Sequence, residues 1–139
     1  MKKAYLLTWN PDNWNWPDYK EKVQAAKEGK AVIESWTSSS KQPNVGDQVF
    51  LLKSQVGIIG HGHVERASYE APHYDSKKAQ EGLTTNHIDV KFDWLKDETE
   101  NNYISLDLLE IVFPKQTWRP QASGIEIKGE YINNLEKVY

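Results

Sequence analysis

The stretch VFLLKSQVGIIGHGHV, Val49 to Val64, decides how the rest of the chain is read. Val49–Leu52 is an apolar run too short for a helix. Ser54-Gln55-Val56-Gly57 interrupts it, and Ile58–Val64 resumes it, which is the pattern of a hairpin. Pro43-Asn44-Val45-Gly46-Asp47 supplies the turn leading in. Gly57, Gly60 and Gly62 mark a second strand that bends or lets another backbone approach closely.

Working outward, Ala4–Trp9 (AYLLTW) reads as a buried strand that runs into the polar segment Asn10–Trp16. Pro17 opens a helix, with Asp18 and Glu21 at the positive end of its dipole. Tyr19, Val23 and Ala26 fall at helical spacing, and Gly29 is a stop. Ala31–Trp36 is a short strand ending in a loop of serines and threonine. Residues 67–86 lack periodicity and read as a long loop. In His87–Leu95, alternation places Ile88, Val90, Phe92 and Trp94 on one face of a half-buried strand. Ser105 caps a short helical turn through Leu109, and Ile111–Phe113 and Ile125–Lys128 read as strands. Tyr131–Tyr139 is a final helix with Ile132, Leu135 and Val138 inward. Strands outnumber helices, so the expected fold is α+β: one domain, 1–139, built on a curled mixed sheet with flanking helices.

Composition narrows the function. The 139 residues are 27% charged and 38% hydrophobic, as in a globular protein. The opening Met1-Lys2-Lys3 leads straight into a strand, and no apolar run is long enough to span a bilayer, so a cytoplasmic protein with no membrane partner is expected. Cysteine is absent, which removes disulfides and thiol chemistry. Net charge is -3; lysine and arginine stand 9 against 8 acids in residues 1–70, and 8 against 12 in the remainder. A protein that grips nucleic acid through phosphates alone carries a positive excess, so any such binding must draw its affinity elsewhere. The unusual feature of the composition is its aromatic content, part of which is core: six Trp, seven Tyr and three Phe, with Trp9, Trp14 and Trp16 crowded together.

His61-Gly62-His63 places two imidazoles on one strand face, but no third ligand stands near in sequence, and no metal or other cofactor is expected. Asp89, Asp93 and Asp97 are read as a solvated face before they are read as catalysts. No glycine-rich phosphate loop or nucleophile motif occurs. Trp9 and Trp36 each end a strand beside hydrogen-bonding side chains: Asn10 and Asn13, then Thr37, Ser38 and Ser39. Two readings stand: a pocket for a planar heterocycle, with rings to stack and polar groups to read its edge, or tryptophans that cap the core.

The ordered set YLLTWNPDN, VIESWTSSS, VFLLKSQVGIIGHGHV, VKFDWL and TWRPQASGIEI resembles EVE and YTH domains of the PUA-like superfamily over about residues 4–128. In its first loop it is nearer to the bacterial EVE-like specificity domains of modification-dependent restriction enzymes. The resemblance implies a non-enzymatic domain that flips a modified base into an aromatic cage: 5-methylcytosine, 5-hydroxymethylcytosine or N6-methyladenine. DNA is the expected partner and RNA the alternative, with a nuclease or NTPase supplied by another domain or subunit. By position it implies Trp36 as the principal cage wall, with Thr37 and Ser38 beside it. Asn10 follows as the base-contacting residue, with Trp9 and Trp14 adjoining, Tyr74 as a second wall and Asp93 from the Asp-Trp strand. Arg119, Lys41, Lys53 and Ser123 are the groups expected near the nucleic-acid backbone. Three rivals remain: a methylated-RNA reader, a small ASCH-type hydrolase using Lys53 or Asp93, and a small-molecule or protein-binding domain.

Overall fold

A computed structural model describes residues 3–72, 77, 80–100, 102–120 and 123–137. Among the described residues, seven strands form one sheet: β1 (Ala4–Trp9), β2 (Val32–Thr37), β3 (Gln48–Lys53), β4 (Gly57–Pro72), β5 (Thr84–Leu95), β6 (Ile104–Ser105) and β7 (Ile125–Glu126). The order is β2-β5-β4-β3-β1-β7, with β6 pairing β4 off that path. β1 and β3 are parallel, and the other pairs are antiparallel. Among the described residues, the helices are α1 (Tyr19–Lys27), α2 (Leu106–Val112) and α3 (Gly129–Glu136), with a 3-10 turn at Glu98–Glu100. None of them is long and apolar enough to cross a membrane.

The sheet has an apolar core on each face. On one, Leu6, Phe50 and Ile58 pack against Leu109 of α2 and Ile132 and Leu135 of α3. On the other, Leu7, Val49, Leu51, Ile59 and Val90 pack with Val23 of α1 and with Trp9, Trp16 and Trp36. Alternation along β1 and β3 sends successive residues to opposite cores. α1 stops as its sequence demands: Gly29 has φ 75°, and Lys30 N–H returns to the Ala25 carbonyl at 2.9 Å.

The hairpin Val49–Val64 forms, but its second strand is much longer than its apolar core. β4 continues to Pro72, and β5 begins at Thr84, with Tyr69 paired to His87 and Pro72 to Thr84. Within the long loop expected over 67–86, residues 67–72 and 84–86 are therefore strands of a β-ribbon, while residues 73–76, 78 and 79 lie outside the described residues. The ribbon's faces are polar, and its pairing rests on side-chain bonds such as Ser68 Oγ to Asn86 Oδ1 (2.5 Å), so it lacks the apolar alternation by which strands are recognised. Ile111 and Val112 belong to α2 and are exposed; the expected strand there is the end of a helix that Ser105 caps through the Leu108 N–H. Trp94 also departs from expectation. His61 pairs with Trp94 and Gly62 with Phe92, so Asp93 bulges out and Trp94 moves to the core opposite Phe92.

Curling shows most clearly at the edges. β1 and β2 are separated in the order by β3, β4 and β5, yet the Trp36 indole N–H donates to the Thr8 carbonyl at 2.9 Å. The loop before β7 closes the same seam, with Ser39 N–H donating to the Ser123 carbonyl (2.7 Å) and Gly124 N–H to the Leu6 carbonyl (2.9 Å). Gly124 has φ 94°, and a Cβ there would collide with Ser38, so glycine is required for the closure.

A candidate nucleobase pocket

A cavity of about 400 Å³ opens at this seam. From β1 and the loop after it come Thr8, Trp9, Asn10, Asn13 and Trp14; from β2 come Ser35, Trp36 and Thr37. His87 of β5 and Ser123 complete the lining. Its size lies within the range of about 300–1,000 Å³ usual for small-molecule sites.

The aromatic wall is rigid because the rings support one another. Trp36 is only 5% exposed and packs against Trp16 at 5.2 Å between ring centres. Trp14 stacks on Trp16 (5.4 Å, 16°) and meets Trp36 nearly at a right angle (5.4 Å, 71°). Trp14 remains 37% exposed, so it forms the outer side of an aromatic corner whose inner side is Trp36. Trp16 takes φ 41°, an uncommon conformation for an indole-bearing residue, held where it is fully buried between its neighbours. The indole N–H groups of Trp9 and Trp36 are spent on the Trp14 and Thr8 carbonyls, at 2.7 and 2.9 Å. Those two rings therefore offer the cavity apolar surface, and polar recognition falls to the smaller side chains.

Below the corner, burial pushes the Glu34 carboxyl above its ordinary value; Asp18 adds to the rise, and Lys22, 3.5 Å away, opposes it. The Trp16 N–H also opposes it, although no acceptor among the described residues stands at full hydrogen-bond geometry. Tyr19 donates its hydroxyl to the Lys96 carbonyl, and burial, aided by Asp97, Glu98 and Glu100, pushes its phenol well above the usual range.

Of the residues expected at the base, the structure brings Trp9, Asn10, Trp14, Trp36 and Thr37 together around the cavity. Ser123, expected near the nucleic-acid backbone, lines it too. Ser38 does not: it is buried, donates to the Ser40 carbonyl (2.8 Å), and packs under Gly124. Asp93 does not either. Its bulge turns the carboxylate to His61 Nδ1 (2.7 Å), whose Nε2 bonds Gln48 Oε1 (2.9 Å), away from the cavity. Tyr74 lies outside the described residues.

Lys53 pairs with Glu98 and lies over the Trp9 ring at 5.0 Å. Arg119 makes two bonds to Glu110 (3.1 and 3.2 Å) and borders a separate cavity of about 200 Å³. Lys41 is exposed on the loop after β2. Among the described residues, no group of three or more His, Asp or Glu could hold a metal; buried His61 and exposed His63 are neighbours at 5.3 Å between rings. Sequence reasoning missed His87 and Ser35. Both reach the cavity through the pairing of Ser35 with Asp89 and Thr37 with His87, a register invisible before the fold is known.

No family model matches the chain, and no curated protein matches it by sequence. Solved structures do. Protein PSPTO5229 from Pseudomonas syringae superposes with a TM-score of 0.60 at 18% identity, covering 96% of this chain and 97% of that one. Human THYN1 in complex with 5-methylcytosine-containing DNA gives 0.57 at 15% identity, over 98% of both chains. A tyrosine-to-phenylalanine mutant of ZmASCH from Zymomonas mobilis gives 0.55 at 16% identity, over 99% of both. At such identities the likeness establishes the fold: α+β and PUA-like, of the kind seen in EVE and ASCH domains.

Proposed function

We propose that this domain binds nucleic acid carrying a modified base, and that the base is swung out of its strand into the seam cavity. The substrate we favour is DNA bearing 5-methylcytosine, 5-hydroxymethylcytosine or N6-methyladenine. The domain then acts in the cytoplasm as the specificity part of a restriction or defence system, with cleavage supplied by another domain or subunit. The observation that carries this reading is the corner of Trp14 and Trp36, whose planes meet at 71° and which both pack on Trp16. One ring face can stack on the base while the second wall limits its substituents. Unstacking a base costs a few kcal/mol, and each aromatic stack returns about 1–3 kcal/mol. The complex of the similarly folded THYN1 with 5-methylcytosine DNA adds support.

The ASCH likeness favours a second reading, a hydrolase of a nucleoside or RNA. Lys53 and Asp93, the pair expected to serve it, are held by Glu98 and His61, and neither lines the cavity. Binding is therefore the better supported function. Titration of short duplexes differing in one modified base, with matched RNA as competitor, tests it. The parent should favour modified DNA, Trp36→Ala should lose that preference, and no oligonucleotide or nucleoside should be turned over. Equal affinity for modified and unmodified duplexes would reject the reading.

A further inference from the structure

The cavity's polar groups have hydrogen-bonding directions fixed by bonds they already make. His87 is 7% exposed and lines the cavity. Its Nδ1 stands 3.0 Å from the Thr85 carbonyl oxygen. A carbonyl only accepts, so Nδ1 carries the proton, and in the neutral ring Nε2 is left with a lone pair. Among the described residues no group bonds Nε2, and it is not among the atoms sealed from solvent. The cavity is the space that the residue lines. The Tyr69 ring, stacked against the imidazole at 6.0 Å and 28°, fixes its plane.

Asn10 is fixed in the opposite sense. Its Oδ1 accepts the Asp12 backbone N–H at 3.0 Å, which leaves the amide NH₂ as the group able to serve a ligand. The lining thus offers an acceptor at His87 and a donor at Asn10. Cytosine and adenine carry an exocyclic amine beside a ring nitrogen with a lone pair, a donor next to an acceptor. Thymine and uracil carry the reverse, a carbonyl beside an N–H, and guanine does so at its O6 and N1.

Resting on the reading above, we propose that His87 is a specificity-determining residue of this pocket: its Nε2 accepts a hydrogen bond from the exocyclic amine, selecting amino-bearing bases against their carbonyl counterparts. Thymine is the sharp comparison, because it shares the ring and methyl group of 5-methylcytosine and differs in the group at C4. A carbonyl there would face the Nε2 lone pair without a proton between them, and such mismatches are rejected strongly.

The test places 5-methylcytosine or thymine opposite an abasic site in otherwise identical duplexes, so that no pairing energy separates them. The parent should bind 5-methylcytosine about 10- to 100-fold more tightly than thymine. His87→Gln, whose amide can turn either end to the ligand, should bring the ratio near one. Nitrogen-15 NMR of the free protein should show Nε2 as the unprotonated ring nitrogen. Equal parent affinities, with both weakened by Trp36→Ala, would overturn the role of His87 and leave the pocket standing. A preference that survives His87→Gln, or a proton on Nε2 in place of Nδ1, would overturn it too. Binding indifferent to Trp36→Ala for both duplexes would overturn the pocket and this inference together. Should His87→Gln fail to fold, the parent ratio and the nitrogen shifts decide.

Discussion

Trp14→Ala separates a binding wall from a core residue more cleanly than any change at Trp36. Trp14 is 37% exposed, so about two-thirds of the residue is covered, in part by the rings of Trp16 and Trp36. Truncating a fully buried aromatic costs about 3–5 kcal/mol, part of it for the cavity left behind. Here the gap opens to solvent and fills with water, so about 2–3 kcal/mol is expected. The Trp14 carbonyl that accepts the Trp9 indole N–H is backbone and survives the change. Against a total stability of about 5–15 kcal/mol, the variant stays folded, with a melting temperature lower by roughly 5–10 °C.

Binding should respond differently. Loss of one stacking wall removes about 1–3 kcal/mol, a weakening of roughly 5- to 150-fold. Trp14→Phe, which keeps a ring face, should recover most of that while improving stability only partly. Thermal melting followed by fluorescence-anisotropy titration of a methylated duplex gives both numbers on one sample. If Trp14→Ala melts lower yet binds with parental affinity, the exposed indole is packing and no part of a base cage.

Three further outcomes follow from the same geometry. Glu34 binds its proton more tightly folded than unfolded, because burial outweighs Lys22, so stability should fall as pH rises from the ordinary value of 4.5 through the raised one; Glu34→Gln should abolish that decline in urea melts across the interval. Asp93→Asn should cost about 1–3 kcal/mol in the same assay, through the charged partner lost by buried His61, while leaving duplex affinity within about twofold, and a larger loss would place Asp93 in the site. The logarithm of the binding constant should fall with that of salt concentration with a slope no steeper than about -3, since each phosphate contact contributes about -0.9 and both Lys53 and Arg119 are already paired with acids; a slope near -6 would mean that phosphates, not the cavity, dominate.

The parts of this fold that announce themselves in sequence bury one consistent face. The hairpin at Val49–Val64, the helix stopped by Gly29 and the strand from Ala4 are written in apolar periodicity and turn chemistry, and all form. The ribbon from Arg66 to Pro72 and Thr84 to Asn86 buries no such face, so nothing local separates it from a loop; its strands exist because each supplies the other's backbone bonds. The same limit applies to the site. Trp36, Trp9 and Asn10 are visible as strand-end residues beside polar partners, whereas His87 and Ser35 enter only through the pairing of β2 with β5. Asp93 illustrates the converse: its strand was legible, but one bulge turned the carboxylate to His61.

The curl of the sheet bears directly on the proposal that a mildly acidic domain holds a base. Closing β2 toward β1 would strand polar groups at the seam, and the chain meets that need with the Trp36 N–H on Thr8 and the Ser123–Gly124 loop on Ser39 and Leu6. The bonds that close the sheet are thus the ones that orient the Trp36 ring. A ring so anchored keeps its rotamer before ligand arrives, and little side-chain entropy remains to be lost on binding. On the proposed reading, affinity then rests on preorganised aromatic surface, which tolerates any flat heterocycle, and discrimination rests on the few lining groups whose donors and acceptors the fold has already committed.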